Sequence, residues 1–226
     1  LRSVLPWSGS EHRRFPVANP QLLSEARFTG ADAPLPMPPD GPENESLKGS
    51  LILADPSLRE PTFFRSVLLL TEHSLKQGAF GYILNRPIGK RVGDLLDRDI
   101  LPGDVHKRLA ATPVFMGGPM STEHLAFSAL GWSEGEDRLQ YVTHLSAQEA
   151  VMHQMEGFQI RAFVGYSGWT GGQLEDELER KAWITHRPER AVIDLGSTDH
   201  LWKDLLRGLG PWHKLVADEP DNFWLN

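Results

Sequence analysis

The sequence predicts an α+β domain, because strand patterns outnumber helical ones and the two do not alternate regularly. Eight segments have the short apolar or alternating pattern of strands, and three longer segments have the apolar spacing of helices. Regular alternation of strands and helices is typical of a doubly wound parallel sheet. Its absence therefore favours the α+β class.

The predicted strands are bounded by glycine, proline or charged residues. Continuous apolar runs at residues 50–54 (SLILA) and 66–70 (SVLLL) indicate buried strands. Residues 139–143 alternate between apolar and polar side chains, as a half-buried strand does. The other predicted strands are residues 79–84, 113–116, 125–130, 160–166 and 190–195.

Helices are predicted at residues 92–96 (one or two turns), at 146–156, at 173–181, and from Leu201 to the glycines at 208 and 210 that end the helix. Ser146 and Glu149 have the spacing of a capping box, which marks a helix start. Leu174 and Leu178 share one face of their segment, whereas the opposite face is mainly acidic. A broad stripe of Leu and Trp defines the last helix.

Residues 1–48 are predicted to form a Pro-rich N-terminal arm or linker, followed by a single domain at residues 49–226. Eight of the 17 prolines lie in this arm, and proline restricts both its own backbone and that of the residue before it. The arm is expected to wrap the domain, to dock on a partner or to form a poorly ordered tail. It lacks the charged start, apolar core and cleavage site of a secretory signal.

The composition excludes several classes of function. The chain has no Cys, so it has no disulfide, no thiolate zinc site and no Cys nucleophile. No apolar stretch approaches the roughly 20 residues of a membrane span. The formal net charge is −7, and most of the excess acid lies after residue 48. Because DNA is an anion, direct binding to nucleic acid is not expected.

The motifs of phosphate, dinucleotide and zinc-protease chemistry are missing. Gly89 and Lys90 lack the upstream glycine of a Walker loop, and neither G-x-G-x-x-G nor H-E-x-x-H occurs in a suitable context. The nine histidines are scattered along the chain. We therefore expect no cofactor and no metal.

Two groups of residues suggest a hydrolase or transferase as an alternative. Residues 165–169 (GYSGW) resemble a nucleophile elbow with Ser167 as nucleophile, although Trp169 replaces the closing glycine. Glu72 and His73 form a candidate acid–base pair, although neighbours on a strand face opposite ways. The structural interpretation, glycines that allow a turn and a buried Trp169, is favoured over the elbow.

Two arginines are further candidates for binding a charged ligand. Arg86 lies in the only compact basic loop, where it either binds an anion or neutralises nearby carboxylates. Arg65 precedes a buried strand and is expected to pair with Glu72 or Glu175 rather than to hold a substrate.

An ordered set of segments closely resembles the YqgE/AlgH family over residues 49–210. The matching segments are residues 49–56, 63–73, 78–87, 114–119 and 163–175, followed by Trp183 and Trp202. The resemblance implies a bifurcated mixed or antiparallel sheet that forms a pseudo-barrel with flanking helices. It also implies a bacterial, cytoplasmic protein. The family's biochemical role is unsettled, and its label of transcriptional regulator derives from a link to alginate synthesis.

The family brings no agreed catalytic residues, and it commonly has Ala at the position of Ser167. Residues 143–146 depart from the usual pattern before the capping box. We therefore expect a regulatory or binding protein that acts through a protein partner or a small ligand rather than by DNA contact. The candidate ligand-binding residues are Arg65, Glu72, His73, Asn85, Arg86, Gly117, Gly118, Tyr166, Ser167, Trp169 and Gln173.

Overall fold

The computed structural model describes residues 46–96, 100–101 and 103–219. The strands are β1 (Leu51–Ala54), β2 (Val67–Ser74), β3 (Gly78–Ile83), β4 (Pro87–Arg91), β5 (Pro113–Met116), β6 (Met120–Ser133), β7 (Arg138–Leu145), β8 (Gln159–Trp169) and β9 (Trp183–His186). The helices are α1 (Val92–Leu95), α2 (Gly103–Leu109), α3 (Ala147–Met155), α4 (Gln173–Glu179), α5 (Leu201–Arg207) and α6 (Pro211–Ala217). The α+β class is confirmed. Residues 1–45 of the predicted arm lie outside the described residues, so the boundary after residue 48 stays a prediction.

The described strands form one mixed sheet that divides at β8. The main order is β4-β5-β8-β3-β2-β1-β9, and β6 also pairs with β8 and carries β7 on its other edge. The first half of β8 lies between β5 and β6, whereas its second half pairs with β3. Only the β5–β8 pair is parallel among these described pairs. The sheet curls into a half-barrel, which agrees with the predicted bifurcated pseudo-barrel.

Glycines allow the sheet to divide. Gly165 in β8 has a left-handed backbone with φ 69°, and a Cβ atom there would lie 2.4 Å from the carbonyl oxygen of Gly118. A Cβ atom at Gly117 would in turn lie 2.3 Å from the carbonyl oxygen of Gly165. A side chain at either position would therefore separate the two backbones where β8 changes partners.

Three apolar clusters pack against the sheet. The first covers the inner face of the half-barrel and contains Phe163, Trp202 and Leu206. The second packs α2 and α3 against β5, β6 and β8 through Leu109 and Ala150. In the third, α4 and β9 cover the other face of β1, β2 and β3.

Ser146 caps α3 as predicted. Its Oγ accepts from the Glu149 N–H, and Oε2 of Glu149 accepts from the Ser146 N–H.

One of the largest fully buried side chains is charged. Arg161 in β8 is 0% exposed, and its Nη1 and Nη2 donate to the carbonyl oxygens of Leu84, at 3.0 Å, and Val192, at 2.6 Å. Its guanidinium carbon lies 5.2 Å from the centre of the Phe115 ring. Burial lowers the pKa of Arg161 to about 10, opposed by the charge of Asp194, so the side chain is protonated at neutral pH. Arg161 therefore joins β8 to the end of β3 and to the segment after β9.

The predicted strand at residues 190–195 is wrong. The segment forms 3-10 turns at Arg190–Val192 and Leu195–Ser197, and the N–H groups of Ile193 and Asp194 bond to carbonyl oxygens three residues earlier. The Val192 carbonyl is thereby free to accept from Arg161. The apolar run packs in the core without joining the sheet.

Four elements were not predicted: β4, β9, α2 and α6. All five residues of β4 are exposed, so this strand lacks the apolar pattern that predicts strands and was assigned to a basic loop. Helix α2 has only two buried residues, Val105 and Leu109. Strand β6 spans 14 residues, whereas the sequence predicts only six of them, because the first part of the strand is polar and lacks the apolar pattern.

None of the helices described is both long and apolar enough to cross a membrane.

We expect Arg161→Met to lower the free energy of unfolding by about 1–3 kcal/mol, because the carbonyl groups of Leu84 and Val192 lose their donors in the core. Urea unfolding followed by far-UV circular dichroism measures the change. The control is Arg108→Met on the exposed side of α2, which is expected to stay within about 0.5 kcal/mol of the parent. A variant as stable as the parent would contradict this expectation and show that the desolvation cost of the charge offsets the gain from its hydrogen bonds.

Candidate functional site

The predicted site residues fall into three clusters rather than one. The strand-end cluster contains Arg65, Asn85, Arg86, Gly117, Gly118 and Ser167. The α4 cluster contains His73, Trp169 and Gln173, together with Glu175, Glu177 and Trp183. The histidine–tyrosine cluster contains Glu72 and Tyr166, together with Tyr82, Tyr141 and His144.

In the strand-end cluster, Asn85 connects two backbone segments. Its Oδ1 accepts from the Val67 N–H and its Nδ2 donates to the Arg65 carbonyl oxygen, both at 2.9 Å. Asn85 is 8% exposed. Its side-chain amide therefore holds the entry to β2 against the end of β3.

The arginines of this cluster also bond to backbone oxygens. Arg65 has a left-handed φ of 54°, donates to the Glu219 carbonyl oxygen and stacks over Trp202. Arg86 donates to the Phe64 carbonyl oxygen. Burial lowers the pKa of both arginines; the charge of Glu219 opposes the shift of Arg65, and that of Glu60 opposes the shift of Arg86. The arginines thus contribute to the packing of residues 63–65.

Ser167 is buried and faces a backbone acceptor. It is 1% exposed, and its Oγ lies 3.2 Å from the Gly117 carbonyl oxygen, to which it donates. An activated serine nucleophile donates to a general base instead. The hydroxyl group therefore serves here to hold the close approach of β8 and the Gly117–Gly118 turn.

A carboxylate group organises the α4 cluster. Oε2 of Glu177 accepts from the indole N–H groups of Trp169, at 2.9 Å, and Trp183, at 2.7 Å. Its Oε1 accepts from Gln173 Nε2 at 3.0 Å, and Gln173 in turn accepts from the N–H and the hydroxyl group of Thr170. The two indole rings meet edge to face. Glu177 therefore fastens α4 to β8 and β9.

Glu72 and His73 face different partners, as the strand alternation predicts. The Nδ1 of His73 accepts from the Leu47 N–H at 3.0 Å, so the ring proton lies on Nε2, which donates to Glu175 at 2.7 Å. Glu72 instead pairs with Lys48 at 2.8 Å. The expectation that Glu72 or Glu175 would neutralise Arg65 is therefore wrong, because both carboxylates bind other cations or donors.

The histidine–tyrosine cluster is formed by side chains of β2, β3, β7 and β8. His144 has a left-handed φ of 59°; its Nε2 lies 3.3 Å from the Tyr82 hydroxyl group and its Nδ1 lies 3.1 Å from Thr143 Oγ1. Burial lowers the pKa of His144, opposed by the charge of Glu72. Neutral imidazole is therefore the dominant form at pH 7.

The rings around His144 form a continuous aromatic wall. Tyr82 stacks on Phe163 with centres 4.7 Å apart, and Tyr166 stacks on Phe80 at 4.5 Å. His144 contacts both Phe80 and Tyr82. Burial raises the pKa of Tyr82, and burial followed by the charge of Glu72 raises that of Tyr141 to about 12. The cluster thus offers protonated phenols and a neutral imidazole beside an apolar surface.

Tyr82, His144, Glu177 and Arg161 are not among the residues that the sequence predicts for the site. Tyr82 lies two residues after Phe80 in a predicted strand, so alternation places both on one face. His144 lies in the segment 143–146 that departs from the family pattern. Arg161 could have been identified because a charged residue is unusual within a predicted buried strand. Among the described residues, no group of three His, Asp or Glu side chains is placed to hold a metal ion.

We expect Glu177→Leu to lower the free energy of unfolding by about 2 kcal/mol or more, because it leaves two largely buried indole N–H groups without an acceptor. Urea unfolding and tryptophan fluorescence measure the effect. Glu179→Leu on the exposed side of α4 is the control and is expected to change stability by less than about 0.5 kcal/mol. Equal effects of the two substitutions would contradict the role given to Glu177.

We expect Tyr141→Phe to weaken the loss of stability at alkaline pH. The folded-state pKa of Tyr141, about 12, lies above the unfolded value of about 10. The unfolded state therefore loses this proton first, and the free energy of unfolding falls as the pH rises through that window. Urea unfolding at about pH 9 and about pH 11 measures the slope. An unchanged slope in Tyr141→Phe would contradict the expectation.

Known proteins share both the sequence pattern and the fold. The sequence model of the AlgH-like family matches residues 51–214. A UPF0301 protein of Streptomyces avermitilis is 34% identical over 198 residues, covering 81% of this chain and 97% of the relative. A UPF0301 protein of Chlorobium limicola is 31% identical over 195 residues, covering 79% and 95%.

Two solved structures have the same fold. The crystal structure of DIP2367 from Corynebacterium diphtheriae has a TM-score of 0.59 at 24% identity, covering 81% of this chain and 95% of that one. The solution structure of the AlgH protein from Pseudomonas aeruginosa has a TM-score of 0.53 at 26% identity, covering 81% and 99%. The chain belongs to the AlgH-like family.

Proposed function

We propose that this protein is a regulatory or binding protein that acts through a protein partner or a small ligand. The observation that carries the proposal is the internal use of the polar motif groups. Ser167 and Asn85 bond to the backbone, Glu177 bonds to two indoles, and His73 bonds to Leu47 and Glu175. These side chains are engaged in hydrogen bonds that stabilise the fold, so they are poorly placed to act on a substrate. This favours a role in recognition over one in catalysis.

Geometry argues against the enzymatic alternative. A nucleophilic serine needs a base within hydrogen-bonding distance and access to substrate. Ser167 donates to a backbone carbonyl oxygen and is buried. Glu72 and His73 bind separate partners, so they do not act as one acid–base pair.

Charge argues against direct DNA contact. The chain has a net charge of −7, and α4 carries Glu175, Asp176, Glu177 and Glu179. A helix with this many carboxylates is repelled by the phosphate backbone. If the protein regulates transcription, we infer that it does so through another protein.

The histidine–tyrosine cluster is the place that we propose for ligand contact. His144 and Tyr141 are half-buried, so they reach both the aromatic interior and the surface. Neutral imidazole both donates and accepts hydrogen bonds, and Tyr82 and Tyr141 keep their protons at neutral pH. A left-handed histidine is also a strained conformation of the kind that is found at binding sites.

We expect that a ligand or partner found by thermal-shift and affinity screening will bind saturably, and that His144→Gln will weaken binding about tenfold or more. The reason is that the variant loses the imidazole between the Tyr82 and Thr143 hydroxyl groups. The measurement is a titration by isothermal calorimetry. His124→Gln is the control, because His124 is an exposed histidine in β6 that pairs with Glu123.

Three results would contradict the proposed function. The first is hydrolysis of an ester, phosphoester or peptide that Ser167→Ala abolishes. The second is the same loss in His73→Gln when the variant retains its thermal stability. The third is a gel shift of one DNA sequence that resists competitor DNA at physiological salt.

A further inference from the structure

Two buried polar side chains lie opposite each other on neighbouring strands of the core. Ser128 in β6 and Arg161 in β8 are directly paired in the antiparallel register, and they are 1% and 0% exposed. Side chains paired in this way share one face of the sheet, with Cβ atoms roughly 5 Å apart. The two polar groups are therefore close together in the interior.

Each of these side chains has a polar atom with no protein partner. The Arg161 Nη1 and Nη2 atoms bond to carbonyl oxygens, but neither its Nε nor the Oγ of Ser128 has a hydrogen-bond partner among the described residues. Buried polar atoms are rarely left in this state, because desolvation without a new hydrogen bond is costly. Both atoms therefore have unused hydrogen-bonding capacity in the interior.

The chemistry required is that of a small hydrogen-bond acceptor. The Arg161 Nε–H only donates, and the serine hydroxyl group donates as readily as it accepts. In the part of the chain that the structure describes, no carboxylate bonds to the guanidinium group, which instead lies against Phe115. A buried cation in such surroundings favours an oxygen lone pair or an anion.

We propose that a single small acceptor, a water molecule or a halide ion, is bound between Arg161 Nε and Ser128 Oγ. Internal waters typically bridge two or more polar groups that have no other partner. Because protein interiors are closely packed, the occupant we propose is a single small species. This site is separate from the histidine–tyrosine cluster and does not depend on the proposed function.

A crystal structure of the full chain tests the site directly, with one crystal grown in chloride and a second soaked in bromide. We expect a density peak within hydrogen-bonding distance of both atoms. An anomalous bromide signal at the peak identifies a halide, and its absence identifies water; both outcomes support the site. No peak, or a direct hydrogen bond between Arg161 and Ser128, overturns the proposal.

Stability in solution gives an independent test. Ser128→Ala removes one partner of the bound acceptor, so we expect the folding equilibrium constant to fall roughly fivefold or more. Ser66→Ala is the matched control, because Ser66 is likewise buried with a partnerless Oγ but is not paired with Arg161. We expect that control to stay within about twofold of the parent or to become more stable. Equal effects of the two substitutions overturn the proposal.

Discussion

The buried guanidinium group of Arg161 is the interaction on which the arrangement of the half-barrel depends. It lies in the part of β8 that pairs with both β5 and β6, and it bonds to the ends of two other segments. Carbonyl groups at the ends of elements need donors, and Arg161 supplies two within the core. This one side chain therefore connects β8 to the end of β3 and to the segment after β9.

The same interaction explains why residues 190–195 do not form a strand. Their apolar pattern favours a strand, but in a strand with a neighbour on each side the carbonyl groups are used by the ladders. The 3-10 turns leave the Val192 carbonyl to Arg161 while Val192 itself stays buried. Local pattern and tertiary contact compete here, and the contact with a distant side chain decides the outcome. No window of sequence around residue 192 contains that information.

Apolar patterns and the capping box were sufficient to predict most of the core. Strands β1, β2, β3, β5, β7 and β8 and the capped helix α3 lie close to their predicted positions because their burial follows local periodicity. Strand β4 is exposed along its whole length and therefore has no such signal. The grouping of the candidate residues could not be predicted from the sequence, because it depends on which strands lie side by side. Glu72 and His73 are neighbours in sequence yet belong to different clusters, because strand alternation separates them.

Much of the family pattern is accounted for by the fold. Gly117 and Gly165 allow two backbones to touch where β8 changes partners, and Trp169, Gln173 and Trp183 surround the carboxylate group of Glu177. The fold requires such residues whatever the protein binds. A resemblance that rests on them therefore indicates a shared fold and not a shared function. A binding function must then depend on side chains that the fold does not need in this way. His144 is the side chain that we propose for this role, because its backbone is left-handed and its imidazole lies between two hydroxyl groups.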